Sequence, residues 1–338
     1  MMSEPAVIHS ADGADRADRA DRADRADRAG KAVPAPLRVR GSGWAMAAGL
    51  VRTARPRQWV KNGLVLAAPF AAARPLDVHQ AIRLAAVLLL FTACSAAVYL
   101  VNDARDAEAD RAHPVKCHRP VASGQVPLGA AYAAGTVLAL AAPTIAALVC
   151  NGDTAALLTA YVVMQLAYCV RLKHMLVVDL VIVTTGFLMR AMAGGLALDI
   201  TLSRWFLITS GFGALFMVAA KRYSELVLMS ERDGEVGASR ALLGSYTVGY
   251  LRFVWQLAAG VAILGYCLWA LESSGAAHGT LPWRQLSMVP FTLSILRYAV
   301  FADAGTAGEP EDVVLRDRPL LVIAVVWGLL YVLAVADS

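Results

Sequence analysis

Residues 99–120 read YLVNDARDAEADRAHPVKCHRP, a stretch in which an apolar run gives way to acids and then to bases. Asn102, Asp106 and Asp110 are spaced four residues apart, and Asp103 precedes Asp106 by three. On a helix that continues out of the apolar run, all four side chains would project from one face. Like charges in such a row are destabilising unless something positive lies against them. The stretch therefore predicts a cation site where a hydrophobic helix ends.

The ligand types indicate which cation this site would take. Mg²⁺ prefers oxygen ligands, typically one or two carboxylates completed by water and by phosphate oxygens. Lys116 and Arg119 follow within reach of a metal-bound phosphate. The alternative is a solvated helix end with Asp–Arg pairs, because Arg105 and Arg111 are interleaved with the acids. Acids at a bilayer boundary are costly and usually mark a site, which favours a metal–diphosphate site.

The composition predicts an all-α polytopic membrane protein. Hydrophobic residues make up 58% of the 338 and mean hydropathy is +0.55, above the range of ordinary soluble domains. Runs long enough to span a bilayer recur along the chain. We expect nine spans, the first interrupted by basic residues and apolar only from about Asn62: about 46–73, 79–101, 128–150, 153–170, 174–198, 202–220, 246–271, 285–302 and 319–336.

The distribution of Lys and Arg predicts the orientation of these spans. With nine spans and an inner N-terminus, the loops that follow the even-numbered spans are rich in bases and the other loops hold few. This places the acid row on the cytoplasmic side of a multi-pass protein of the inner (plasma) membrane. Two long polar loops, about 102–127 and 221–245, lie on that side. We expect both to cap one shared cavity.

Residues 1–44 differ from the rest of the chain. They contain a repeated Ala-Asp-Arg triplet with no apolar face to bury, which predicts a disordered low-complexity cytoplasmic tail. Residues 45–338 are expected to form the nine-helix transmembrane catalytic domain. The five cysteines show no paired spacing and are interpreted as packing residues.

Three further segments place polar residues at or within predicted spans. The first is RPRQWVKN, residues 55–62, which ends in Lys61 and Asn62 and could also be a headgroup anchor. The second begins at Lys173 and carries Asp179 and Arg190 inside one span, about 16 Å apart on a helix, so each needs another partner. The third is KRYSE, residues 221–225, a mixed patch that either flanks a span or binds phosphate and hydroxyl groups.

These motifs together resemble the UbiA-type intramembrane prenyltransferase superfamily. The resemblance covers nearly everything after residue 45 and rests on NDARDAEAD, HRP and K…VVD…LMRAMAGG in a nine-span chain. It implies a nine-transmembrane-helix UbiA-type bundle with cytoplasmic cap loops. It also implies that Asn102, Asp103, Asp106 and Asp110 hold Mg²⁺ against the donor diphosphate, the three aspartates being catalytic.

The second motif departs from the pattern of that superfamily. Most members carry D-x-x-x-D there, whereas KRYSE has Glu225 as its only carboxylate. With RPRQWVKN and EDVVLRDR, residues 311–318, it is similar to the branch that makes decaprenyl-phosphate phosphoribose. That branch transfers 5-phosphoribosyl from phosphoribosyl pyrophosphate to a polyprenyl phosphate, for the arabinan of arabinogalactan and lipoarabinomannan in the cell wall. Extra bases suit a donor with a second phosphate.

The resemblance also suggests roles for the remaining polar residues. Lys116, Arg119, Lys221 and Arg222 would hold phosphates, and Tyr223 and Glu225 would contact ribose hydroxyls or metal-bound water. Lys61, Asn62, Lys173 and Arg190 would steer the acceptor head. The expected partners are phosphoribosyl pyrophosphate, a polyprenyl phosphate lipid and the bilayer, with no nucleic acid; a homo-oligomer is left open.

Three alternative functions remain at this point. An aromatic or haem polyprenyltransferase would keep the same fold and use a prenyl diphosphate donor. A transporter or channel would explain charges inside the membrane without catalysis. A membrane scaffold requires neither the acid row nor the bases.

Overall fold

The computed structural model describes residues 43–72, 76–231, 243–272 and 281–336, and the regular structure in these ranges is helical. A 3₁₀ helix, Pro56–Leu66, separates the first two α-helices. The α-helices are α1 (Gly43–Thr53), α2 (Ala67–Ala72), α3 (Val78–Arg105), α4 (Ala107–Arg111), α5 (Leu128–Val149), α6 (Gly152–Val170), α7 (Val178–Ala197), α8 (Arg204–Glu231), α9 (Val248–Glu272), α10 (Trp283–Leu286), α11 (Met288–Asp303), α12 (Pro310–Arg316) and α13 (Arg318–Ala336).

Several of these helices are suited to a bilayer. Within the described ranges, six are long and apolar enough to cross a membrane: α3, α5, α6, α7, α9 and the continuous pair α10–α11. Most of α13 forms a shorter apolar helix. The chain is a multi-pass membrane protein, as its composition predicted. Each of the eight later predicted spans overlaps a helix, while the total of nine spans stays a prediction.

The predicted first span, about 46–73, is wrong as a single helix. Arg55 has a left-handed backbone, with φ 55° and ψ 66°, and Pro56 follows it, so α1 ends and a 3₁₀ helix begins. This 3₁₀ helix lies very close to α7. A Cβ atom on Gly194 would lie 2.0 Å from the carbonyl oxygen of Val65, so only glycine permits this approach. The 3₁₀ helix that interrupts the predicted first span therefore packs closely against α7.

The prediction that KRYSE opens a loop is also wrong. Helix α8 continues through it to Glu231 because its buried face extends past the predicted membrane end. Ala220, Tyr223 and Ser224 are buried there, and the Ser224 hydroxyl accepts a 3.0 Å hydrogen bond from the Ala307 backbone N–H. The last three residues of the predicted second loop, Leu243–Ser245, form a short 3₁₀ helix, and its residues 232–242 lie outside the described residues. So does the predicted tail, except its last two residues, which begin α1.

Two packed groups of helices flank α7. On one side α3, α5 and α6 share a core that includes Phe91 and Leu158. On the other side α8, α9 and α11 share a core around Phe216 and Trp255. Helix α7 packs against both α6 and α8. Its residue Arg190 lines the space between the two groups, where the candidate site lies.

Candidate active site

A cavity of about 710 Å³ lies between α3, α6, α7, α8 and the 3₁₀ helix. Its described lining contains four cations and no carboxylate. Its polar wall comprises Lys61, Ser95, Tyr99, Tyr161, Gln165, Arg190, Ser210, Lys221 and Arg222. A concave site lined by one sign of charge attracts ligands of the opposite sign. The cavity is therefore suited to an anion, and all four of its cations belong to the predicted substrate-binding set.

The acid row begins one helical turn beyond this wall. Asp103 follows Tyr99 by four residues on α3, so both lie on one helix face. As predicted, the helix continues through Asn102 and Asp103, but it is interrupted at Asp106, where α3 ends and α4 begins. Asp103 and Asp110 are buried, while Asn102 and Asp106 are partly exposed. The row therefore lies where the long apolar helix α3 ends, as the sequence predicted.

Each carboxylate of the row is covered by a cation from another segment. Asp103 accepts a 2.7 Å hydrogen bond from Arg55, and Asp106 contacts the Lys173 ammonium at 3.0 and 3.1 Å. One nitrogen of Arg119 lies 2.7 Å from Asp110 and 3.4 Å from Asp103. A single positive group thus bridges two of the acids. The repulsion expected along the row is balanced by these pairs.

Arg55 reaches this position through an unfavourable backbone. A positive φ is uncommon outside glycine, and the residue before proline is also biased toward extended conformations. Its guanidinium lies 4.7 Å from the centroid of the Tyr99 ring while it bonds Asp103. Such conformations persist when surrounding contacts favour them and often mark functional sites. Arg55 was not among the predicted site residues.

Arg190 lies deeper in the cavity and is held by neutral groups. It donates to the Asn62 side-chain oxygen at 3.0 Å, to the Tyr161 hydroxyl at 2.8 Å and to the Gly186 carbonyl at 2.8 Å. Aromatic rings of Phe91, Tyr161 and Phe187 lie 5.2–5.4 Å from its guanidinium carbon. Within the described part of the chain it forms no ion pair. The predicted residues Asn62 and Arg190 therefore form one cluster.

Arg222 is held by carboxylates instead. Its guanidinium contacts both oxygens of Asp179 at 3.2 Å and one oxygen of Glu225 at 3.1 Å. The Tyr168 hydroxyl donates to Asp179 at 2.5 Å. The neighbouring Lys221 lies 3.9 Å from Glu225 and 3.5 Å from Glu309, the residue before α12. The KRYSE patch is consequently balanced in charge rather than strongly basic.

Four of the ten predicted substrate-binding residues line the cavity, and Tyr223 and Lys116 are among the six that do not. Tyr223 is 2% exposed in the α8–α9 core, and its hydroxyl accepts a 2.5 Å hydrogen bond from Arg252. The structure does not bring it to the other KRYSE side chains at the cavity. Lys116 is half-buried on a short 3₁₀ turn, Lys116–His118, just before Arg119.

A second cavity, of about 390 Å³, adjoins the first through shared residues Ala67, Ser210, Gly213 and Met217. Its wall is almost entirely apolar and rich in aromatic rings: Phe70, Trp205, Phe206, Phe216, Tyr266, Trp269, Phe291, Trp327 and Tyr331. The basic cavity therefore lies next to a compartment suited to a hydrocarbon chain. An anionic lipid head with an apolar tail matches this pair of cavities.

The acid row fits a divalent cation in its chemistry. All its donors are oxygens, and a single guanidinium nitrogen already bridges Asp103 and Asp110. Within the described ranges, no three His, Cys, Asp or Glu residues converge closely enough to form a metal cluster. The acids point instead to Arg55, Arg119 and Lys173. The row thus offers oxygen ligands for a metal, but its present arrangement is determined by ion pairs with arginine and lysine side chains.

Comparison with known proteins now identifies the family. The model of the UbiA prenyltransferase family matches residues 63–316, most of the chain. The chain belongs to this family. Among curated relatives, the decaprenyl-phosphate phosphoribosyltransferase of Mycobacterium tuberculosis H37Rv is 49% identical over 286 residues, covering 83% of this chain and 92% of that protein. Its namesake in Corynebacterium glutamicum is 46% identical over 295 residues, covering 86% and 87%.

Solved structures support the same fold. A UbiA homolog from Archaeoglobus fulgidus bound to DMAPP and Mg²⁺ superimposes with a TM-score of 0.64 at 13% identity, covering 86% of this chain and 99% of that one. The same homolog bound to GPP and Mg²⁺ gives a TM-score of 0.62 at 14% identity. The prediction of the UbiA fold is confirmed.

In this UbiA-family chain, sequence reasoning missed some residues of the site. Ser95, Tyr99, Tyr161 and Gln165 line the cavity but lie in apolar runs where a single polar residue gives little signal. Arg55 had a usable signal, because a basic residue directly before proline interrupts a predicted span.

Proposed function

We propose that the chain transfers the 5-phosphoribosyl group of phosphoribosyl pyrophosphate to decaprenyl phosphate or a related polyprenyl phosphate. The observation that carries this proposal is the basic cavity that adjoins an aromatic compartment. A soluble polyanion and the phosphate of a lipid can meet there. The near 50% identity to curated phosphoribosyltransferases over most of the chain supports the same choice of substrates.

The chemistry is a substitution at C1 of the ribose. An oxygen of the acceptor phosphate attacks C1, and the bond from C1 to the diphosphate oxygen breaks with its electron pair leaving on diphosphate. Attack opposite the leaving group inverts C1 and yields the β-linked lipid product. The nucleophile needs no general base because a phosphate monoester is ionised at neutral pH.

The leaving diphosphate is assigned to the acid row. Asp103, Asp106 and Asp110, with Asn102, would hold Mg²⁺, which supplies charge neutralisation to a departing diphosphate. The chain's own cations act alongside. Arg55, Arg119 and Lys173 contact these acids and can donate hydrogen bonds to diphosphate oxygens from the same positions. 

The remaining basic residues divide between the two substrates. Arg190, supported by Asn62 and joined by Lys61, is assigned to the acceptor phosphate, because its partners within the described residues are neutral and it lines the basic cavity. Lys221 and Arg222, with Lys116 near the acid row, are assigned to the donor phosphates. Of the two residues assigned to ribose contacts, Glu225 contacts Arg222, whereas Tyr223 is in the core.

The proposed orientation follows from the donor. Phosphoribosyl pyrophosphate is a soluble polyanion that does not enter hydrocarbon, so the acid row would face the cytoplasm at the plasma membrane. The bases that flank the inner ends of the predicted spans agree with this orientation.

Purified protein in lipid vesicles tests the proposal directly. Labelled phosphoribosyl pyrophosphate, decaprenyl phosphate and Mg²⁺ should yield a lipid-soluble labelled product, while decaprenyl diphosphate with an aromatic acid should yield none. Asp103→Asn and Asp106→Asn should reduce turnover at least about 100-fold, since each removes a charge from the proposed metal site. Asp153→Asn, which changes an exposed carboxylate in the first turn of α6, is the matched control.

Chelation separates the metal from the rest of the proposal. EDTA should abolish product formation, and added Mg²⁺ should restore it in the wild type but not in Asp106→Asn. A wild-type protein that is folded and active on prenyl diphosphate alone would overturn the assignment of the donor.

A further inference from the structure

Asp179 is a buried carboxylate that the proposed chemistry does not use. It lies in the first turn of α7 and is 2% exposed. An ionised carboxylate removed from water is costly unless it is paired and hydrogen-bonded. Acids within membrane helices are therefore usually functional. Its contacts show what the role of Asp179 would be.

The partners of Asp179 come from two other helices. The hydroxyl of Tyr168, near the end of α6, donates a 2.5 Å hydrogen bond to Oδ1 of Asp179. Arg222 on α8 directs Nη2 to Oδ1 and Nε to Oδ2, both at 3.2 Å. This is the two-point geometry in which a guanidinium and a carboxylate match. Three helices are thereby joined through one acid, and the acid itself is not part of the cavity lining.

The contacts leave part of the Arg222 guanidinium available to a ligand. A guanidinium has five N–H groups. Asp179 accepts a hydrogen bond from Nη2 and lies 3.2 Å from Nε, and Glu225 accepts one from Nη1 at 3.1 Å. One N–H remains on each terminal nitrogen, and Arg222 lines the basic cavity. N–H groups on the terminal nitrogens of a guanidinium can bind phosphate oxygens.

We propose that Asp179 and Tyr168 are positioning residues that hold the Arg222 guanidinium in the orientation needed to bind a donor phosphate. This inference rests on the proposed function. Because the Arg222 guanidinium is already oriented before the donor binds, binding avoids the entropy cost of ordering a free arginine side chain. The Tyr168 hydroxyl orients the Asp179 carboxylate, and the carboxylate in turn orients the Arg222 guanidinium.

The decisive experiment removes the arginine side chain and supplies guanidinium from solution. Arg222→Ala should raise KM for phosphoribosyl pyrophosphate about 100-fold and leave KM for decaprenyl phosphate nearly unchanged, because charged hydrogen bonds to one substrate are lost. Millimolar guanidinium added to this variant should lower its KM for phosphoribosyl pyrophosphate at least about tenfold. In the double variant Arg222→Ala/Asp179→Asn the recovery should disappear, because the carboxylate that binds the guanidinium is gone.

Tyr168→Phe provides a milder test that keeps the volume of the side chain. It should raise KM for phosphoribosyl pyrophosphate about fivefold with kcat little changed, and this increase should vanish in an Arg222→Ala background. Tyr132→Phe, an exposed tyrosine on α5, is the matched control.

The outcomes separate this inference from the proposed function. Equal guanidinium recovery with and without Asp179, or a Tyr168→Phe effect that persists without Arg222, would overturn the positioning role. Absence of labelled lipid product from the wild-type protein would instead overturn the proposed function. A purely structural role for Asp179 would lower thermal stability and kcat without a selective change in the donor KM.

Discussion

Arg190 and Arg222 line the same cavity, yet their surroundings differ in charge. Arg222 contacts Asp179 and Glu225, two carboxylates. Arg190 contacts an amide oxygen, a phenol oxygen and a backbone carbonyl, and three aromatic rings lie near its guanidinium. Both positions carry the same side chain on a long helix, Arg190 on α7 and Arg222 on α8. The difference lies in what neutralises it.

This contrast indicates different tasks. A partly buried positive charge with neutral partners, such as Arg190, is incompletely compensated, so an anionic ligand gains from pairing with it. Under the proposed function, Arg190 would therefore supply net charge to the acceptor phosphate. The charge of Arg222 is already balanced, so its contribution is the geometry of its remaining N–H groups. Substitutions at Arg190 should therefore weaken substrate binding by removing charge, and substitutions at Arg222 by removing the planar arrangement of N–H groups.

Loss of charge at Arg190 should have the largest effect. In Arg190→Gln, kcat/KM for decaprenyl phosphate should fall about 100-fold, because a charged partner of the acceptor phosphate is lost. Arg190→Lys keeps the charge, so its kcat/KM for decaprenyl phosphate should be about tenfold higher than that of Arg190→Gln. Steady-state kinetics with each substrate varied in turn measures both. Arg83→Gln, at an exposed arginine paired with Asp199, is the control.

Arg222→Lys should produce a smaller and differently directed effect. Lysine retains the charge but not the planar fork, so KM for phosphoribosyl pyrophosphate should rise about tenfold while the acceptor KM stays close to wild type. If lysine is tolerated equally well at both positions, the contrast between charge and shape fails.

Glu225→Gln should change the electrostatics of the Arg222 cluster modestly. Asp179 still holds the guanidinium, while one negative charge near Lys221 and Arg222 is removed. Inhibition by the product diphosphate should become about threefold tighter, since the cavity becomes more positive. Product-inhibition constants measured with and without the substitution test this, and weaker inhibition would contradict it.

Tyr223→Phe should have the smallest effect. The hydroxyl bonds Arg252 and lies in the α8–α9 core rather than at the cavity, so kcat/KM for either substrate should stay within about twofold of wild type. A slightly lower thermal midpoint is the expected change. A selective increase in the donor KM would instead support the ribose contact predicted from the KRYSE motif.

Local patterns in the sequence predicted much of the fold and part of the site. The membrane helices followed from apolar runs, and the acid row followed from four-residue spacing at the end of α3. Both depend on properties of neighbouring residues. The KRYSE segment was misjudged because a basic residue after an apolar run has the same local pattern whether it ends a helix or continues it. Burial of Ala220 and Ser224 continued α8.

The pairing of charges was beyond local reasoning. Arg55 and Asp103 are 48 residues apart, Asp106 and Lys173 are 67 apart, and Asp179 and Arg222 are 43 apart. Spacing along a helix indicated only that Asp179 and Arg190 were too far apart to pair with each other. Nothing in the sequence selected carboxylates for Arg222 and neutral groups for Arg190.

The sequence by itself determined that the chain is helical, lies in a membrane and gathers acids at one helix end, because hydrophobic length and periodicity act locally. Only the tertiary structure decided which cation covers each acid, where the first helix breaks and which arginine remains uncompensated. Those outcomes depend on contacts between distant segments and on the cost of leaving a charge unpaired away from water.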